Sequence, residues 1–74
     1  MKKIEELRFT EEEGTIINCN FKVGDKVQEG EIIFVVETDK INAEITSPKT
    51  GVIKELFFKE QDIVKNSDLL ALIE

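Results

Sequence analysis

The chain contains no histidine and one cysteine, Cys19. Serine–histidine and cysteine–histidine pairs are thereby excluded as nucleophilic machinery. A zinc site would rest on carboxylates and Cys19 alone, a poor donor set, so no metal site and no catalytic residue is expected. What remains is amine chemistry, and one amine stands out by position: Lys40, in Glu37-Thr38-Asp39-Lys40-Ile41. Taken alone, a lysine is a solvated surface charge, as most lysines are. Lys40 is set apart because it lies at the junction of two halves that repeat each other.

Residues 14–37 lie over residues 51–74 without a gap. Gly14 falls on Gly51, Ile16 on Ile53, Phe21 on Phe58, Asp25 on Asp62, Val27 on Val64 and Glu37 on Glu74. Ile32, Ile33, Val35 and Val36 meet Leu69, Leu70, Leu72 and Ile73, which match them in size and polarity. Two copies are too few for a solenoid, which needs at least three units to bury its faces. They suit a closed domain with approximate two-fold symmetry, each half supplying strands to the other.

Within each copy the pattern is strand, turn, short strand, turn, strand. Residues 15–21 and 52–58 mix β-branched and aromatic side chains. Their apolar positions, Ile16, Cys19, Phe21 and Ile53, Leu56, Phe58, step by three and then by two. Strict alternation is broken at the same place twice, which points to a bulge in both copies. Residues 22–25 and 59–62 read as turns, as do Glu29-Gly30 and Asn66-Ser67. Ile32 to Val36 is a continuous apolar run suited to a core strand. Ile4, Leu7 and Phe9 fit an opening strand, and no window holds helical spacing for three turns. About eight short strands are expected, as a sandwich or flattened barrel.

In this scheme strand 32–37 runs out to Asp39-Lys40 and returns along residues 41–46. The turn lacks glycine and Asn-Gly, the usual signals of a two-residue hairpin. Asp39 and Lys40 can still occupy the centre of a type I turn. The Lys40 amine would then stand clear of the body.

Composition narrows the rest. The 74 residues make one domain, residues 1–74, with little room for a deep cleft. A net charge of −6 argues against nucleic acid and favours basic protein surfaces as partners. No apolar run approaches the roughly 20 residues needed to span a bilayer, and the first residues lack the apolar core of a signal peptide. One thiol closes no internal disulfide, so no oxidising compartment is required. A cytoplasmic protein is expected.

Glu37-Thr38-Asp39-Lys40 followed by an apolar residue resembles the attachment motif of lipoyl domains. Lys22-Val23-Gly24-Asp25-Lys26-Val27 resembles a turn of that family, and Ser47-Pro48 with Gly51 resembles its segment after the hairpin. The resemblance covers residues 14–74. It implies an all-β fold: a flattened barrel of two four-stranded antiparallel sheets with internal two-fold pseudo-symmetry, a barrel-sandwich hybrid. It also implies lipoic acid joined to Lys40 as an amide, which removes the charge and adds a long arm. The arm would be acylated and reduced at one partner, deliver its acyl group at a second and be reoxidised at a third. The implied partners are a lipoate ligase or lipoyl transferase and the decarboxylase, acyltransferase and dihydrolipoyl dehydrogenase components of a 2-oxo acid dehydrogenase complex. The domain itself would be a monomer and no enzyme, carried by an acyltransferase or dihydrolipoyl dehydrogenase chain. Glu37, Thr38, Asp39 and Ile41 would be recognition residues around Lys40.

Two alternatives stand beside this reading. Biotinyl carriers of carboxylases share the fold, but they resemble a lysine with methionine on both sides. Here the neighbours are Asp39 and Ile41, and the single methionine is Met1. An unmodified barrel-sandwich interaction domain would have no reason to keep Asp39-Lys40 at the turn. Among the remaining residues, Asp25 and Asp62 are expected to bond local amides as turn residues do. Gln61 stands where similar domains often have glycine, so the second turn is expected to differ in conformation. Cys19 takes a position where they often have tryptophan. It is expected to be a buried small hydrophobe, with Phe21, Phe34, Phe57 and Phe58 as candidates to refill the core. Glu11-Glu12-Glu13 is expected to be a solvated loop, in a region that often lies beside the lipoyl hairpin.

Overall fold

The computed structural model describes residues 3–74; Met1 and Lys2, the first residues of the expected single domain, lie outside them. Eight strands form: β1 (Glu5–Arg8), β2 (Glu13–Cys19), β3 (Lys26–Val27), β4 (Ile32–Glu37), β5 (Asn42–Thr46), β6 (Gly51–Leu56), β7 (Ile63–Lys65) and β8 (Leu69–Ile73). They make two four-stranded antiparallel sheets, ordered β1-β8-β6-β3 and β5-β4-β2-β7. No helix is present among the described residues, and so none is long and apolar enough to cross a membrane. The all-β sandwich of two four-stranded sheets with a pseudo-two-fold is therefore the observed fold.

The repeat maps one sheet onto the other. Exchanging β2 with β6, β3 with β7, β4 with β8 and β5 with β1 converts one strand order into the other. Each half lends its short strand to the opposite sheet, β7 against β2 and β3 against β6. Backbone bonds obey the same exchange. Ile16 N–H donates to Asp62 O at 2.9 Å, and Ile53 N–H to Asp25 O at 2.9 Å.

The expected bulges are present at equivalent places. The register of β2 on β4 slips between Ile16 and Asn18, and that of β6 on β8 between Ile53 and Glu55. A second pair, unforeseen, inserts Ile33 of β4 opposite the Ile45-Thr46 step of β5 and Leu70 of β8 opposite the Leu7-Arg8 step of β1. An extra residue in a strand lets two consecutive side chains face one side. Ile33-Phe34 and Leu70-Ala71 are accordingly all buried, which accounts for the unbroken apolar runs.

Those residues form one core with Leu7, Phe9, Ile16, Val27, Val36, Ala43, Ile53, Val64 and Ile73. Its two large rings, Phe9 and Phe34, are fully buried, and both break the symmetry. The position equivalent to Phe34 is Ala71. That equivalent to Phe9 is Ser47, since both bond the loop before the neighbouring strand: Phe9 N–H to Asp68 O at 3.0 Å, Ser47 N–H to Glu31 O at 2.9 Å. Each ring thus stands where its symmetry mate is small, which keeps the core filled without overpacking. Phe21 and Phe58 pack half-buried at its edge.

Three expectations are corrected. Phe57 does not refill the core. Strand β6 ends at Leu56, the Phe57 amide turns to Leu70 O at 3.0 Å, and its ring is 49% exposed. Cys19 is half-buried rather than buried, its thiol donating to Phe21 O at 3.4 Å. The second turn does not differ in conformation: Gln61 adopts φ 80° where Gly24 has 95°, and Ser67 adopts 74° where Gly30 has 89°. The aspartates behave as expected. Asp25 accepts from Lys22 N–H at 2.8 Å and Asp62 from Lys59 N–H at 2.9 Å.

Candidate functional site

Strands β4 and β5 pair up to Glu37 and Asn42, and residues 38–41 close the hairpin. Thr38 N–H donates to Ile41 O at 2.9 Å, leaving Asp39 and Lys40 at the tip. Neither tip residue has positive φ. That fits a type I turn, the conformation open to residues other than glycine. Such a turn matches the twist of paired strands less well than its mirror forms, and a side chain supplies what the backbone does not. Thr38 Oγ1 accepts from Ile41 N–H at 3.1 Å and from Lys40 N–H at 3.3 Å, and donates to Ile41 O at 2.9 Å.

The residues singled out around Lys40 fall into two groups. Glu37, Asp39, Lys40 and Ile41 are exposed, Ile41 at 54%. Neither the Lys40 amine nor the Asp39 carboxylate has a hydrogen-bond or ion-pair partner among the described residues. Thr38 is half-buried and its hydroxyl is consumed by the turn, so its part is internal to the hairpin. Sequence reasoning missed this; the available signal was a threonine placed immediately before a tip that lacks glycine.

Residues 11–15 come up beside residues 37–40, and an open groove of about 700 Å³ lies between them. Glu11 and Glu12 are exposed, as expected of a solvated loop, whereas Glu13 already belongs to β2 and pairs with Lys65. The groove is lined by Glu11, Glu12, Glu13, Glu37 and Asp39, with Lys40 the one cation among its lining residues. A second, apolar groove of about 490 Å³ lies over Cys19, Phe21, Leu56 and Phe58, two pairs related by the pseudo-two-fold. No cluster of potential metal ligands occurs among the described residues. The lysine end therefore offers a free amine at an exposed tip, in surroundings rich in carboxylates.

Residues 8–73 match the Biotin_lipoyl family model, described as "Biotin-requiring enzyme". The chain is 52% identical over 61 residues to the dihydrolipoyllysine-residue acetyltransferase component of the pyruvate dehydrogenase complex of Acholeplasma laidlawii, covering 82% of this chain and 11% of that protein. Its structure superposes on the lipoyl domain of the 2-oxoglutarate dehydrogenase complex of Azotobacter vinelandii with a TM-score of 0.75 and 28% identity, covering 92% of this chain and 95% of that domain. It superposes on part of the urea carboxylase of Kluyveromyces lactis with a TM-score of 0.85 and 27% identity, covering all of this chain and 6% of that enzyme.

Proposed function

The chain belongs to the Biotin_lipoyl family, and from that premise we propose that it is a lipoyl carrier: Lys40 bears lipoic acid as an amide and swings it between the active sites of a 2-oxo acid dehydrogenase complex. The observation that carries this reading is the exposed Lys40 amine at the tip of the β4–β5 hairpin, flanked by Asp39 and Ile41. The residues present fit the group, because an amide needs only a free primary amine and room for the arm beside the open groove.

Bound there, the dithiolane would supply the redox and thioester chemistry. The chain's own residues close the turn that carries the attachment point through Thr38, keep the tip soluble through Glu37 and Asp39, and present Ile41 as an apolar neighbour. Tethering raises the effective concentration of the arm at each active site without any catalytic group on the carrier. Asp39, Glu37 and Ile41 are the proposed contacts for a ligase or transferase and for the decarboxylase, acyltransferase and dihydrolipoyl dehydrogenase components. The carrier is proposed to act as a monomeric unit in the cytoplasm, within an acyltransferase or dihydrolipoyl dehydrogenase chain.

A biotinyl carrier is the second reading, favoured by the closer superposition on the carboxylase. The fold does not separate the two; the absence of a methionine on either side of Lys40 supports the lipoyl reading. Intact mass after incubation with lipoate, ATP and a lipoate ligase tests the choice. One lipoyl increment is expected, absent in Lys40→Arg, whose thermal unfolding should be unchanged. Modification by biotin and a biotin ligase instead would reverse the assignment. A chain left unmodified by both would overturn the carrier reading.

A further inference from the structure

Thr38 is placed to do more than mark the motif. One hydroxyl meets the amide of the tip residue Lys40, the amide after it and one carbonyl: it accepts from Lys40 N–H at 3.3 Å and Ile41 N–H at 3.1 Å, and donates to Ile41 O at 2.9 Å. Its methyl faces β2, where a Cβ built on Gly14 would stand 3.2 Å from Thr38 Cγ2. The side chain thus has its methyl against the neighbouring strand and its hydroxyl on the peptide groups of Lys40 and Ile41. Asp39 and Lys40, by contrast, make no side-chain hydrogen bond among the described residues. The direction in which Lys40 leaves the tip is therefore tied to the body through Thr38.

We infer that Thr38 is a positioning residue for acylation of Lys40, acting through the turn rather than by touching the acyl donor. The inference rests on the carrier reading above. In the step concerned, the neutral Lys40 amine attacks the acyl carbon of an acyl adenylate. The N–C bond forms, the bond from that carbon to the phosphate oxygen breaks, AMP leaves, and the displaced amine proton passes to solvent. A turn closed by Thr38 limits the orientations in which the amine meets the donor, and misplacing a reacting group by about 1 Å can lower the rate about a hundredfold.

The test uses the whole chain with lipoate, ATP and a lipoate ligase, followed by intact mass, for wild type, Thr38→Val and Thr38→Ser. Valine keeps the shape and removes the hydroxyl; serine keeps the hydroxyl and removes the methyl. Thr38→Val is expected to lower kcat/KM for the chain by about tenfold while circular dichroism shows it folded at the assay temperature. Thr38→Ser is expected to recover most of that loss. Hydrogen exchange at the Ile41 amide reports the clamp independently of modification and should accelerate in the valine variant alone. Wild-type rates in Thr38→Val would overturn the inference and leave the carrier reading standing. Equal losses in the valine and serine variants would show that keeping the hydroxyl does not restore the rate, and would also overturn it. A wild-type chain that takes no lipoyl group would overturn the carrier reading itself, and this inference with it.

Discussion

Gly14 and Val36 approach so closely that a methyl group on Gly14 would lie 2.5 Å from Val36 Cγ1 and 2.7 Å from Glu37 O. The pseudo-two-fold repeats the relationship at Gly51, where an added methyl would overlap the Glu74 carbonyl and stand 3.5 Å from Ile73 Cγ2. At both places a strand passes hard against the end of its neighbour, and in one of them that end leads directly into the lysine hairpin. Gly14→Ala must displace Val36 or the Glu37 backbone, and overpacking of this kind costs about 1–3 kcal/mol. Thermal denaturation should show the midpoint falling by about 5 °C or more. An unchanged midpoint would mean that β4 yields freely there.

The matched turns separate two effects of glycine. Gln61 holds φ 80° and Ser67 φ 74°, a region that L-residues enter at a cost of about 1–2 kcal/mol. Gln61→Gly removes that strain, while glycine's greater freedom in the unfolded chain takes back about 0.4–1 kcal/mol. A net stabilisation of about 0.5 kcal/mol is expected. Gly24→Ala, in open space but at φ 95°, should destabilise by about 1 kcal/mol. Urea titrations of both variants check the opposite signs.

Asp25 and Asp39 are both exposed aspartates in loops, but only one has structural partners. Asp25 accepts from Lys22 N–H at 2.8 Å, and losing a hydrogen bond of this kind costs about 1 kcal/mol. Asp25→Ala should lower stability with little effect on lipoylation. Asp39→Asn should do the reverse, leaving the unfolding curve in place and slowing ligation or later acylation. If Asp39→Asn shifts the curve and not the rate, Asp39 is a turn residue only.

Association should respond to salt. The groove beside Lys40 is lined by carboxylates from two segments of a chain of net charge −6. Attraction between exposed charges is screened beyond about 8 Å at physiological ionic strength. The association rate with a basic partner surface should therefore fall as sodium chloride is raised, with the dissociation rate changing less. Stopped-flow mixing with a decarboxylase component measures both; a salt-independent association rate would remove charge from the recognition argument.

Much of this molecule can be read from the chain alone, because an internal repeat carries its own check. The coincidence of Ile16, Asp25 and Val27 with Ile53, Asp62 and Val64 implies the two-fold, and the step of three then two locates one pair of bulges. The second pair, at Ile33 and Leu70, left no such trace, since a bulge inside a continuous apolar run does not disturb the pattern. The equivalence of β1 and β5 was also hidden. It runs one position out of register with the rest of the repeat and pairs Phe9 with Ser47, residues with nothing in common but their backbone bonds.

The sequence by itself determined the strand content, the symmetry and the position of Lys40 at the central hairpin, since these follow from local pattern and from order along the chain. Tertiary structure alone decided that Phe57 faces solvent while Phe9 is buried, that Gln61 adopts glycine's backbone, and that Thr38 spends its hydroxyl on the turn. Each of those outcomes depends on what another segment brings alongside: the Leu70 carbonyl for Phe57, the Ile16 carbonyl for Gln61, and the close passage of β2 at Gly14 for Thr38. Residue type sets what a side chain is able to do, and only the packed neighbour settles which of those possibilities has the lowest free energy.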